Sequence, residues 1–227
     1  MAESMHAESP LSRAAVDQLG DRLRSEVTEA DLRLLDQHRR TFRPDYDLVV
    51  AVLRSAIGID VSGRPAKSTT AIVEKLKRSS MRLSQMQDIA GCRTVVVDLA
   101  EQDRLVSVIA EKVACLVSDR RLQPSHGYRA VHIVVRPGKF PIEIQVRTRL
   151  QHLWAEISEK FADEFGIAVK YGGGQADVRE ALDMTSSLVA RIECLEGQFE
   201  VADEVAALRH EVQNDFSKLL ASVRKLR

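Results

Sequence analysis

The stretch Phe140-Pro141-Ile142-Glu143-Ile144-Gln145-Val146-Arg147-Thr148 alternates between apolar and polar side chains. A repeat of two is that of a β-strand, so Ile142, Ile144 and Val146 share one face and Glu143, Gln145 and Arg147 the other. The aliphatic face requires a core beneath it. The polar face, taken alone, reads as solvated sheet surface, which is what alternation ordinarily means. Thr148 stands where a helix cap belongs, and Arg149 to Phe165 follows with helical character and the single tryptophan, Trp154. The chain therefore combines strands with helices.

Upstream, residues 1–10 read as a frayed tail. Ala15, Val16, Leu19 and Leu23 recur at helical spacing within Leu11 to Glu26. Thr28-Glu29-Ala30-Asp31 has the form of a capping box and opens a second helix. Pro44 is expected to end or kink it, with a third helix from Asp45 to Ile57. Ser62 to Ser68 reads as a loop because of its Gly and Pro, and Ser68 or Thr69 caps a helix from Thr70 to Arg78. Thr94 to Val97 is a β-branched run and so a buried strand. Leu105 to Val113 is an amphipathic helix, and Ala114 to Val117 a short strand. Tyr128 to Val135 is a further strand, joined through the turn Arg136-Pro137-Gly138-Lys139 to the opening one as a hairpin. Tyr171-Gly172-Gly173-Gly174 is a linker or helix cap. Apolar residues at three and four, from Leu188 to Phe199 and from Val205 to Leu226, define two C-terminal helices. These can pack back on the domain or against another protomer.

Several polar groups fall where they can meet. Arg64 and Lys67 precede a helix and Lys75 lies two turns into it, a pattern suited to a polyphosphate; on charge alone a solvated basic helix is the better reading. Asp88 precedes the Thr94–Val97 strand, with Gly91 permitting a close approach; a lone Asp is ordinarily a turn residue. Tyr128 and His132 share a face, and a suitable hairpin register carries them to the Glu143/Gln145/Arg147 row. His152 and Glu156 have a spacing that metal ligands use, but two groups favour a hydrogen bond instead.

Charge adds little, since 33 basic and 33 acidic residues give a net charge of +0, which offers no support for non-specific nucleic-acid binding. No apolar run approaches the ~20 residues that span a bilayer, and the first eight residues are polar, so a cytoplasmic protein is expected. Cys92, Cys115 and Cys194 form no paired or zinc-binding pattern and are expected to be buried, reduced thiols.

The order of these pieces is a GRPxK-type basic loop and helix, DIAGCR before a strand, HGYRAVH on a strand, and EIQVRT on its partner. This resembles the synthetase domain of the RelA/SpoT family, the alarmone (p)ppGpp synthetases, over roughly Ser62 to Phe165. The resemblance implies an α+β fold like that of the polymerase-β-like nucleotidyltransferases: a small mixed sheet flanked by helices, here with helical N- and C-terminal extensions. Helical spacing gives a helical segment at 1–61 and C-terminal helices at 172–227, on either side of the synthetase domain expected at 62–171. The resemblance further implies transfer of pyrophosphate from ATP to the 3′-hydroxyl of GDP or GTP with Mg²⁺, and the layout is that of the small, single-domain synthetases, many of which form homo-oligomers through terminal helices.

By position, the resemblance gives Asp88 and Glu143 as the metal-associated and catalytic carboxylates. Arg64, Lys67, Lys75 and Arg93 fall on the ATP side. Tyr128 is given as the acceptor-base stacker, with His132, Gln145 and Arg147 supporting the acceptor. Asp88 and Glu143 are expected on a polar surface, where their loss opens no core cavity. The chain departs from the usual pattern at Ala66, which reads as an insertion, at Ala71 in place of a serine, and at Gln123-Pro124-Ser125-His126 before Gly127. Arg120 or Arg121 is a candidate replacement for a lysine there. Two alternatives follow: a toxin-type relative that modifies adenosine nucleotides or the 3′ end of tRNA, and a nucleotide-binding module without catalysis.

Overall fold

The computed structural model describes residues 11–196 and 202–225. Helices α1 (Arg13–Ser25), α2 (Glu29–Arg40), α3 (Arg43–Ser55), α4 (Thr69–Arg78), α5 (Leu99–Lys112), α6 (Arg149–Phe165), α7 (Ala176–Glu196) and α8 (Ala202–Lys225) accompany strands β1 (Ser62–Arg64), β2 (Ala90–Val96), β3 (Cys115–Asp119), β4 (Val131–Val135) and β5 (Ile142–Thr148). The strands form one sheet in the order β1-β2-β5-β4-β3. The fold is thus α+β, with a five-stranded mixed sheet and flanking helices. The tail at residues 1–10, Phe199 and Leu226 lie outside the described residues.

Local chemistry explains the element ends. Thr28 caps α2 with a full capping box to Asp31, as the sequence predicts. Ser68 caps α4 through the Ala71 amide. Thr148 caps α6 and Gln151 returns the bond, so β5 passes into α6 without a linker. Three expectations need correction. Pro44 opens α3, because a proline in the first turn lacks only an N–H that has no helical partner there. Ser62–Arg64 is not loop but an antiparallel edge strand, with Ser62, Gly63 and Arg64 opposite Arg93, Cys92 and Gly91; three exposed residues around a glycine carry no strand pattern. β4 begins at Val131, leaving Tyr128 in the preceding turn.

Contacts group Met1–Arg93 with Val134–Ile144, and Thr94–Ile133 with Gln145–Arg227. In the first unit, Leu19, Leu23, Leu35, Leu53, Ile72, Leu76 and Leu83 are buried. A Cβ on Gly20 would lie 2.8 Å from that of Leu83, so α1 needs this glycine to seat against the turn at 83–85. Arg24 ties α1 to the end of α4 by donating to the carbonyls of Leu76 and Ser79 at 2.9 and 3.2 Å. In the second unit, α6, α7 and α8 share a core of Leu150, Trp154, Ile157, Leu182, Val189, Ile192, Val212 and Phe216. The C-terminal helices therefore pack back on α6.

Of the three free cysteines only Cys92 is buried; Cys115 is partly so and Cys194 is exposed. The Cys92 thiol is pushed up to about 12 by burial and by the nearby Glu143 charge, so it carries no reactive thiolate.

Candidate active site

In the first unit, Lys67 and Lys75 converge on one carboxylate. Lys67 Nζ lies 2.6 Å from Asp88 Oδ2 and Lys75 Nζ 2.8 Å from Oδ1. The three side chains are only 12%, 26% and 18% exposed for Lys67, Lys75 and Asp88, so the pairs are not loose surface contacts. Burial alone would raise the Asp88 pKa; the two ammoniums more than reverse this and hold it at about 2. Burial lowers that of Lys67, against the pull of Asp88.

The backbone that presents these groups is built from distant pieces. The Lys67 amide donates to the Ile89 carbonyl at 2.6 Å, stitching the loop before α4 to the segment before β2. Arg39 on α2 donates to the Lys67 carbonyl at 3.0 Å and to Thr69 Oγ1 at 3.3 Å. Arg39 was not singled out by the sequence, where it reads as one of several α2 cations. Arg64 lies exposed on β1, and Arg93 on β2 opposite Ser62. A Cβ on Gly91 would stand 2.7 Å from the Glu143 carbonyl oxygen and 3.3 Å from Glu143 Cβ. Only glycine lets β2 pass Glu143 this closely, and Glu143 itself is half-buried.

In the second unit the four residues assigned to the acceptor form one network. Arg147 Nη2 donates to Tyr128 Oη and to Gln145 Oε1, both at 2.9 Å. Tyr128 Oη and His132 Nε2 are also 2.9 Å apart. The Arg147 guanidinium lies over the tyrosine ring, 5.0 Å from its centroid, a cation–π contact that fixes the ring plane. Arg147 is 7% exposed. The polar row of β5 is therefore not a solvated face. Arg121 does not present a free charge to a ligand: Asp103 and Asp119 hold it at 2.7 and 2.6 Å. Arg120 is exposed.

Among the described residues, no group of three or more His, Cys, Asp or Glu side chains converges in a way that could hold a metal ion. An ionised Asp88 is a hard oxygen donor beside the ammoniums of Lys67 and Lys75. That donor set fits Mg²⁺, which keeps waters and takes phosphate oxygens from its substrate rather than an all-protein cage.

Residues 63–162 match the model of the region found in RelA / SpoT proteins. An uncharacterised protein of Mycobacterium tuberculosis is 34% identical over 179 residues, 74% of this chain and 64% of that protein; the chain thus spans just under two thirds of that relative's length. A GTP pyrophosphokinase of Photobacterium angustum is 29% identical over 188 residues, 78% of this chain but 25% of the relative. In fold, the chain is similar to small alarmone synthetase 1 from Bacillus subtilis, with a TM-score of 0.57, 23% identity and coverage of 82% of this chain and 100% of that one. No described helix is long and apolar enough to cross a membrane.

Proposed function

We propose that this protein is an ATP-dependent pyrophosphokinase that acts on GDP or GTP to make (p)ppGpp. The observation that carries the reading is the Lys67–Asp88–Lys75 triad within a RelA/SpoT region. The structure of small alarmone synthetase 1 bound to its product pppGpp supports the choice of a guanosine product, since its fold is similar at a TM-score of 0.56.

The chemistry follows from charge. Pyrophosphoryl transfer needs in-line positioning and neutralisation of phosphate oxygens more than covalent help. Lys67 and Lys75 turn from Asp88 to the ATP phosphates, with Arg64 and Arg93 adding charge on that side. Mg²⁺, held by Asp88 with Glu143, would neutralise the same oxygens. Glu143 accepts the proton of the acceptor's 3′-hydroxyl as its oxygen attacks the β-phosphorus of ATP; the new O–P bond forms, the bond to the α-phosphate oxygen breaks, and AMP leaves. Tyr128 stacks on the acceptor base, its ring plane set by Arg147, while His132 and Gln145 hold the acceptor. The balanced net charge offers no support for tRNA as the preferred acceptor.

The test is product identification with labelled ATP, Mg²⁺ and a panel of GDP, GTP, AMP, ADP, ATP and tRNA. Label on GDP or GTP, lost in Glu143→Gln, is expected. Label on tRNA or an adenosine nucleotide alone would replace this reading by the toxin-type one, and guanine-nucleotide binding without turnover would leave a binding module.

A further inference from the structure

The turn that presents Tyr128 is held in an unusual backbone state. His126 and Gly127 have φ of 51° and 83°. A non-glycine residue keeps positive φ only where its surroundings over-determine it. Here the surroundings are α6 and α7. Ser186 Oγ donates to the Gly127 carbonyl at 2.6 Å and accepts from Arg129 Nε at 3.1 Å. Arg129 also donates to the Arg121 carbonyl at 2.5 Å, closing the loop from 121 to 129. A Cβ on Gly127 would stand 2.6 Å from the Trp154 ring and 3.2 Å from Ser186 Cβ. Trp154 is fixed in turn by donating to the Leu182 carbonyl at 3.0 Å. Ser186 is 3% exposed. Its hydroxyl uses its one proton and accepts one bond, so alanine would leave both the Gly127 carbonyl and Arg129 Nε without it.

We infer that Ser186, acting with Arg129, is a positioning residue for the acceptor: it latches the Gly127 turn to α7 and so sets the Tyr128 ring. The inference rests on the acceptor role proposed for Tyr128, yet Ser186 lies outside residues 63–162, so the RelA/SpoT region borrows this support from a C-terminal helix.

The test uses the full chain with Ser186→Ala, and Arg129→Gln as a second break in the same latch. Two readouts need no substrate: amide hydrogen exchange over residues 121–129, and emission of Trp154, the single tryptophan. Faster exchange confined to that loop, with a shifted emission, is expected. With substrates, the KM for GDP or GTP should rise roughly tenfold, the equivalent of about 1.4 kcal/mol for one lost hydrogen bond, while the KM for ATP holds. Unchanged loop exchange in both variants overturns the latch, as does an equal rise in both KM values. If the parent neither binds nor modifies guanine nucleotides, the proposed function fails, and the exchange data still judge the latch. Should Ser186→Ala not fold, Arg129→Gln alone decides.

Discussion

Asp88 is the residue whose setting most changes what its substitution should do. On a polar surface its removal would be silent for folding. Between Lys67 and Lys75 it is the shared counterion of two largely buried ammoniums. Asp88→Asn should therefore abolish transfer and also destabilise by about 2 kcal/mol, below the fully buried case because water still reaches the cluster. Lys67→Met in the Asp88→Asn background should recover part of that loss by removing the repulsion, a coupling that urea denaturation of the four proteins would read. Equal stability of Asp88→Asn and the parent would remove the triad from the argument. The same pairs predict metal behaviour. Because each Asp88 oxygen already faces an ammonium, Mg²⁺ should bind poorly to the nucleotide-free protein and well once ATP draws the lysines away. Calorimetric titration should show weak binding alone, strong binding with a non-hydrolysable ATP analogue, and improved binding alone in Lys67→Met. The sequence supplied the identity of these residues through ordered motifs. It did not supply the pairing, because nothing in the spacing of 67, 75 and 88 says that one loop amide bonds to Ile89 and brings both lysines to one carboxylate.

At the scale of the element, legibility followed local chemistry. The α2 capping box and the Thr148 cap of α6 were readable because a cap is a contact between residues three apart. The strand β1 was not, since its only specification is its antiparallel partner β2, some thirty residues on. Tyr128 was misplaced into β4 because a period-two pattern does not reveal a positive φ at His126 and Gly127, which sets it in a turn instead. The glycine that matters most to β2 is Gly91. Gly91→Ala places a methyl 2.7 Å from the Glu143 carbonyl, against backbone that has no rotamer to yield. Separation of β2 from β5 at that point should cost about 1–3 kcal/mol and reduce transfer with it. A thermal melt and a rate measurement on the one variant check this; an unchanged melting temperature would mean that the strands have slack there. Serine would not rescue it, since the clash is with Cβ itself.

For the whole molecule, periodicity alone does not decide whether α7 and α8 serve this chain or another. Their apolar repeats fit either use, and here they are buried within the chain: Leu150, Trp154 and Ile157 of α6 share one core with Leu182, Val189, Ile192, Val212 and Phe216. That packing buries Glu193 with them. Burial raises its pKa despite bonds from Thr148 and Gln151. His38, 6% exposed, moves the other way: burial lowers it to about 4, from 6.5. The two groups make opposite contributions to the pH dependence of stability. For His38 the folded state binds fewer protons than the unfolded one between pH 6.5 and about 4, so stability falls on acidification through that window, by about 3 kcal/mol at the limit. For Glu193 the folded pKa lies above the unfolded one, so its contribution is fully present below the unfolded value and is lost as pH rises through the folded value. Glu193 therefore detracts from stability as pH rises above the ordinary carboxylate range, whereas His38 is neutral and harmless at neutral pH. Glu193→Gln should raise the urea midpoint near neutral pH, with a smaller gain in acid. His38→Gln should flatten the loss of stability between pH 6.5 and about 4 without the same gain at neutrality. Both effects follow from the proton uptake difference alone and are independent of any nucleotide. Parallel pH profiles for His38→Gln and the parent would show that His38 is protonated in the folded chain, against its place between Phe42 and Phe140, whose rings lie 5.3 and 6.4 Å from its own.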